Sequence, residues 1–312
     1  MHYRTRTFLA TCLALTIGLS LNSCGIMEDA GEDDGRLAFS RMVKEPATTQ
    51  TLEKLPAIDT LVSVCRSLAA LDLIYEDRMH KEASGNLEFH QRWAKKDGEK
   101  AFLIDWEGHD NLVVWFSPHG CVIKGHDEES TMNPQVAPYD LETQHGMKLY
   151  PGLLKGFPEE FRPFLAEPNF QTSNATFVIW RKKDDDRWHI GPIVWPTRKP
   201  NRWTTHDGSD DLLSPLSADS KIYAEWIQKS RQKKVDAATI QRVFAHEPMT
   251  KELYKALDSE RNYPHLEKDL LEIGYPVGAT PTTATPATAV PDKQTAPVVP
   301  SVKNVEPHAS KP

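Results

Sequence analysis

The chain has 312 residues, of which 39% are apolar and 26% charged, with a net charge of −7 and four cysteines. A deficit of positive charge argues against sequence-independent binding of nucleic acid, whose phosphates need a basic surface. No apolar stretch reaches the roughly 20 residues that a membrane-spanning helix requires.

The first residues carry Arg4 and Arg6, and an apolar run of 14 residues follows from Phe8 to Leu21. Basic start, short apolar core and small residues in this order describe an export signal. The run closes on Leu21-Asn22-Ser23-Cys24, which resembles the bacterial lipobox, with Asn22 departing from the usual small apolar or hydroxyl residue. The resemblance implies cleavage after residue 23 and acylation of Cys24 with a diacylglycerol and an N-acyl chain. Each buried methylene contributes about 0.8 kcal/mol, so such an anchor holds. By resemblance to lipoproteins of double-membrane bacteria, Gly25 favours the outer membrane, which points to the cell envelope as the place of work.

Residues 24–55 are acidic, with Glu28, Asp29, Glu32, Asp33 and Asp34 and few apolar side chains, and are expected to form a flexible tether. Residues 277–312 hold seven prolines and no Phe, Trp or Tyr, the composition of a disordered tail. Between them, residues 56–276 suffice for one folded domain.

Within that domain Ile58, Leu61, Cys65, Leu68 and Leu71 recur at helical spacing. Four strands are expected next, over 87–93, 101–106, 112–117 and 121–126. Gly108-His109-Asp110 and Pro118-His119-Gly120 make the connections short, which forces antiparallel neighbours. A short helix is expected over 158–166, and a hairpin from 175–181 and 188–195 around Asp184-Asp185-Asp186. Pro192 marks the return strand as an edge or bulge. Asp219, Asp236 and Thr250 each stand where they would cap a helix, and a further helix over 265–273 stops at Gly274. The class is α+β: N-terminal helix, antiparallel β-meander, short helix, β-hairpin, C-terminal helices.

Cys12 leaves with the signal and Cys24 takes lipid, leaving Cys65 and Cys121. In an oxidising compartment the two can pair, stabilising by roughly 3–4 kcal/mol. Otherwise they serve as small apolar side chains.

Signatures of hydrolases, metalloproteases and phosphate loops are missing. Two polar groups remain as candidates. His119 with His126, Asp127 and Glu128 could bind a metal or supply acid–base chemistry at a pocket rim, against the simpler reading of a solvated loop. Asp207-Gly208-Ser209-Asp210-Asp211 offers Asp207 and Asp210 as binding groups, its three carboxylates able to hold calcium though without the alternating EF-hand order, against a capped turn. No cofactor and no metal is called for by any spacing. Of eight tryptophans, Trp203 in a Lys/Pro/Asn/Arg loop is the one expected to make an exposed contact.

Taken in order, Cys65 to Ile74, Trp115 to Pro134, Tyr150 to Trp195, Asp207-Gly208-Ser209 and Glu272 to Pro276 resemble a family of uncharacterised bacterial proteins. The resemblance covers about residues 56–276 and implies a fold unit with no established activity. The family's loop reads Gly-x-x-His-Glu-Ser; here Glu128 stands at the histidine position, which weakens a role that depends on it.

Three functions are therefore weighed. The first is a non-enzymatic envelope lipoprotein that binds a protein partner, an immunity protein against an incoming toxin being one form. The second is a hydrolase acting on an envelope polymer. The third is a glycan- or peptidoglycan-binding module.

Overall fold

A computed structural model describes residues 35–75, 86–106, 109–136, 138, 140–197 and 205–278. Its centre is an antiparallel sheet of six strands: β1 (Asn86–His90), β2 (Lys100–Trp106), β3 (Asp110–Ser117), β4 (Gly120–His126), β7 (Phe177–Lys182) and β8 (His189–Ile190), in that spatial order. The small hairpin of β5 (Glu142–Gln144) and β6 (Met147–Leu149) stands apart. The fold is α+β, with the meander, short helix, hairpin and closing helices in the expected sequence.

The sheet buries both faces, which is why β4 is buried along its whole length. On one face Phe102, Ile104, Leu112, Val114, Cys121, Ile123 and Ile179 meet the helices. On the other, Val113, Trp115, Val122, Val178 and Trp180 meet Met132, Leu153, Phe157, Phe161 and Phe164. That second layer contains the short helix α3 (Arg162–Leu165) and is otherwise irregular chain, held by aromatic contacts such as Phe157 to Trp180 at 5.4 Å.

α2 (Ile58–Tyr75) is buried on more than one stripe. It lies between the sheet and the C-terminal helices, where Ser67 Oγ donates to the Val243 carbonyl at 3.0 Å and Tyr75 Oη to that of Leu257 at 2.8 Å. After the single turn of α4 (Ser209–Leu212), the closing helices are α5 (Ser220–Arg231), α6 (Ala237–Phe244), α7 (Lys251–Ala256) and α8 (Tyr263–Glu272). Asp219, Asp236 and Thr250 cap α5, α6 and α7, each accepting from backbone N–H groups one turn in. Gly274, at φ 72°, ends α8 in the left-handed conformation that glycine allows.

The structure corrects three expectations. The segment read as tether to residue 55 contains α1 (Gly35–Met42), whose Phe39 is 7% exposed and packs edge-on to Tyr223 and Trp226 at 5.8 Å from each. A single aromatic in an acidic stretch does not show in a composition average, yet it docks the segment. The first strand ends at His90, not Trp93, because Ala94 and Lys95 adopt positive φ and turn the chain. The hairpin's return strand is two residues long and stops before Pro192, as a residue without an N–H would require. Cys65 and Cys121 are both free thiols, fully buried on the helix face of the sheet. Among the described residues no helix is long and apolar enough to cross a membrane.

Candidate functional site

The polar residues singled out in the sequence divide between the two ends of β4. His119 sits exposed in the β3–β4 turn. His126 ends the strand, seven residues or about 23 Å away. They do not converge. Glu128 turns outward and pairs with His109 at 2.8 Å, both more than half exposed. Cys24 and Trp203 lie outside the described residues.

Asp127, Asp207 and Asp210 do come together, because the β4 exit and the 205–211 loop are stitched to one another, whereas the His126 ring turns to the Asn174 carbonyl. Thr176 Oγ1 donates to the Asp207 carbonyl at 2.8 Å, and Ser130 Oγ to that of His206 at 2.7 Å. The fully buried Asp207 carboxylate accepts from Thr49 Oγ1 at 2.6 Å and from the Ser209 N–H at 3.1 Å. Burial raises its pKa, opposed by these hydrogen bonds and one from Thr205. Asp127, 1% exposed, turns its Oδ1 onto the Glu129 N–H at 2.8 Å. Gly208 is pressed so close that a Cβ there would stand 2.2 Å from Asp127 Oδ2. Asp210 accepts from Thr205 Oγ1 at 2.6 Å. The cluster joins the N-terminal segment, β4, β7 and the loop. Among the described residues no group of three or more His, Cys, Asp and Glu is arranged to hold a metal ion.

Next to it on β4 lies a residue the sequence reading passed over. Lys124 is fully buried and donates to Asn111 Oδ1 at 2.5 Å. Burial lowers its pKa from 10.5 to about 7. His126 Nδ1–H donates to the Asn174 carbonyl at 2.8 Å, and burial followed by the Lys124 charge lowers its pKa too. Strand parity was the available signal: Val122, Lys124 and His126 share one face, and Val122 is core.

A concavity among the described residues lies elsewhere, on the edge of the sheet. β1 is the terminal strand, and no described strand pairs with its outer side. A groove of about 540 Å³ runs along it, walled by residues 87–92, by Ala69, Asp72 and Leu73 of α2, and by Glu272 and Ile273 where α8 ends. Its volume is that of an ordinary ligand site. Its floor is apolar and its rim carries Asp72, Glu88, His90, Arg92 and Glu272. Arg66 is folded inward, 5.2 Å over the Phe89 ring and donating to Gln91 Oε1 at 2.9 Å. A hollow of about 40 Å³ adjoins the groove, sharing Asp72 and Leu87 with it and lined by Leu68, Ile104 and Trp106 among others.

What fold and site define is an α+β domain with a two-sided antiparallel sheet, a closed polar cluster at one end of a central strand and a groove along one edge. No model of a known protein family matches the chain, and no curated protein or solved structure matches it either, which is consistent with an uncharacterised family of unknown function.

Proposed function

We propose that this chain is an envelope lipoprotein, anchored through Cys24, whose folded part is non-enzymatic and recognises a protein partner in the groove beside β1. The observation that carries the reading is that groove: among the described residues no strand pairs with the outer side of β1, and a strand edge of that kind can take a further chain through its backbone. The hydrolase alternative has less support, since His119 and His126 stand at opposite ends of β4 and Asp127 is enclosed by Gly208. Glycan binding through exposed aromatic platforms also has less support. Trp106, Trp115, Trp180 and Trp188 are buried, and Trp93, Trp195 and Trp226 pack against the two cores. Neutralising a toxin that enters the envelope is one form the proposed recognition can take.

The test is site-specific photocrosslinking in cells. A crosslinking residue at position 88, on the groove rim, is expected to capture a discrete protein, whereas one at position 119 captures none. Capture from position 119 alone would refute the groove as the docking site.

A further inference from the structure

Lys124 and His126 put two groups that can each carry a positive charge on one face of β4, two residues or about 7 Å apart. Lys124 is fully buried and His126 is 6% exposed. Each is held by one neutral oxygen: Lys124 Nζ donates to Asn111 Oδ1, and the His126 Nδ1–H to the Asn174 carbonyl. Among the described residues neither is hydrogen-bonded to a carboxylate. A ring that donates through Nδ1 keeps its lone pair on Nε2, so a second proton adds there. The site thus accommodates both groups when they are uncharged. Charging them sets like charges side by side, buried, with no counter-ion bonded to either.

The charged groups nearby do not offset this. β3 contributes Asp110, which accepts from the Glu128 N–H at 2.6 Å. The chain after β4 contributes Asp127, turned onto the Glu129 N–H, and Glu128, paired with His109. The 205–211 loop contributes His206, Asp207, Asp210 and Asp211, and residues 172–180 contribute no charged side chain. In the second layer Glu159 pairs with Arg162, and Glu160 with Lys182, which stands opposite Gly120 at the far end of β4. Asp110 and Glu128 favour a charged His126, but burial and the Lys124 charge outweigh them. On Lys124 burial acts alone.

Irregular chain closes over this end of β4. Residues 127–133 fold back so that Met132 meets Val113 and Val122, and the turn Thr172–Asn174 brings its last carbonyl to His126. Isolated hydrogen bonds pin these segments, such as Asn133 Nδ2 to the Glu128 carbonyl at 2.7 Å, whereas β2, β3 and β4 share continuous ladders. Segments held in that way open at lower free energy than a sheet. Asn111, half-exposed, gives the Lys124 ammonium a route to water once they lift.

We propose that residues 127–133 and the Thr172–Asn174 turn form an acid-opened latch: protonation of Lys124 and His126 lifts them from the end of β4 while the sheet stays folded. The open form bares Lys124, His126 and Met132, which the closed form hides.

Amide hydrogen exchange of the full chain, corrected for the intrinsic rate at each pH, tests this. From pH 8.5 to pH 6 the opening constant of residues 127–133 and 172–176 is expected to rise about thirtyfold, as required of a lysine that titrates near 7 when closed and at 10.5 when open. Ile104 and Val114, at the centre of β2 and β3, are expected to stay at least tenfold better protected, because they exchange only when the whole domain unfolds. Lys124→Met is expected to leave only the few-fold rise that His126 causes. Asn111→Asp keeps the acceptor but gives the ammonium a counter-ion, so the rise is expected to shrink at least threefold. A rise that stays thirtyfold in Lys124→Met, or is undiminished in Asn111→Asp, overturns the role of Lys124. Exchange in the two segments that ignores pH, or that matches Ile104 and Val114 in protection, overturns the latch.

Discussion

Lys124 makes the stability of this protein depend on pH in a calculable way. Burial lowers its pKa to about 7, whereas in the unfolded chain the ammonium keeps its ordinary value of 10.5. Between these values the unfolded chain holds one proton more than the folded one, so stability rises with pH. From pH 7 to pH 8.5 the rise amounts to about 1.5 kcal/mol for a shift of this size. Two groups act against it. Burial raises the thiols of Cys65 and Cys121 well above their usual value, so the folded chain keeps protons that the unfolded chain begins to lose. Together they remove about 0.3 kcal/mol over the same interval. His126, whose pKa is lowered, adds a rise of the same sign as Lys124 but below pH 7, which is why the interval starts there. Urea denaturation followed by tryptophan fluorescence, at constant ionic strength, is therefore expected to show a net gain of about 1 kcal/mol. Lys124→Met keeps the length of the side chain without its charge. Asn111, half-exposed, can replace the lost bond with water. In this variant the gain disappears and the slight fall caused by the thiols remains. Parallel pH profiles for the two proteins would show that Lys124 titrates near its ordinary value and would refute the assignment.

Gly208→Ala forces a Cβ onto Asp127 at a backbone φ of +74°, and is expected to cost at least about 2 kcal/mol in the same denaturation assay. Thr49→Val removes the hydroxyl that donates to the buried Asp207 carboxylate, with an expected loss of about 1.5–3 kcal/mol; an unchanged midpoint would mean that residues 35–55 do not belong to the folded unit. Cys65 and Cys121, free and enclosed, are expected to resist a thiol reagent in the native protein and to react fully once it is denatured, as mapped by mass spectrometry. A bonded pair would stay unreactive under both conditions. Cys24→Ser is expected to move the protein from the membrane to the soluble fraction of cell extracts, and retention with membranes would sink the lipid-anchor reading.

Local rules made the outer parts of the fold legible. Asp219, Asp236 and Thr250 cap helices because a short acceptor before an apolar stripe satisfies the first free N–H groups. The meander followed from connections too short for anything but antiparallel pairing. The site was less legible because its parts are remote in sequence. Asp127 and Gly208 meet across 81 residues, and no spacing rule links them. Lys124 had a local signal, an inward position between Val122 and His126, but lysine is so seldom buried that the strand pattern reads it as a boundary residue. The groove had none: it arises where β1, the middle of α2 and the end of α8 leave space between them, a property of packing alone.

The docking of α1 changes what the anchor implies. If acyl chains hold Cys24 in a bilayer, only residues 25–34 separate the lipid from packed structure, not the 31 residues of an unstructured stretch to position 55. Ten residues reach at most about 35 Å when fully extended, against about 110 Å for 31. Phe39 of α1 also lines the hollow beside the groove, so α1 and the wall of the groove belong to one packed unit. A partner would therefore be met close to the membrane surface. Inserting 20 Gly/Ser residues after Asp34 separates this from a reach-independent site. It lengthens the tether without touching Phe39. Crosslinking from position 88 is expected to fall if the partner is itself held at the membrane. Unchanged crosslinking would show that the short leash does not set where the partner is met.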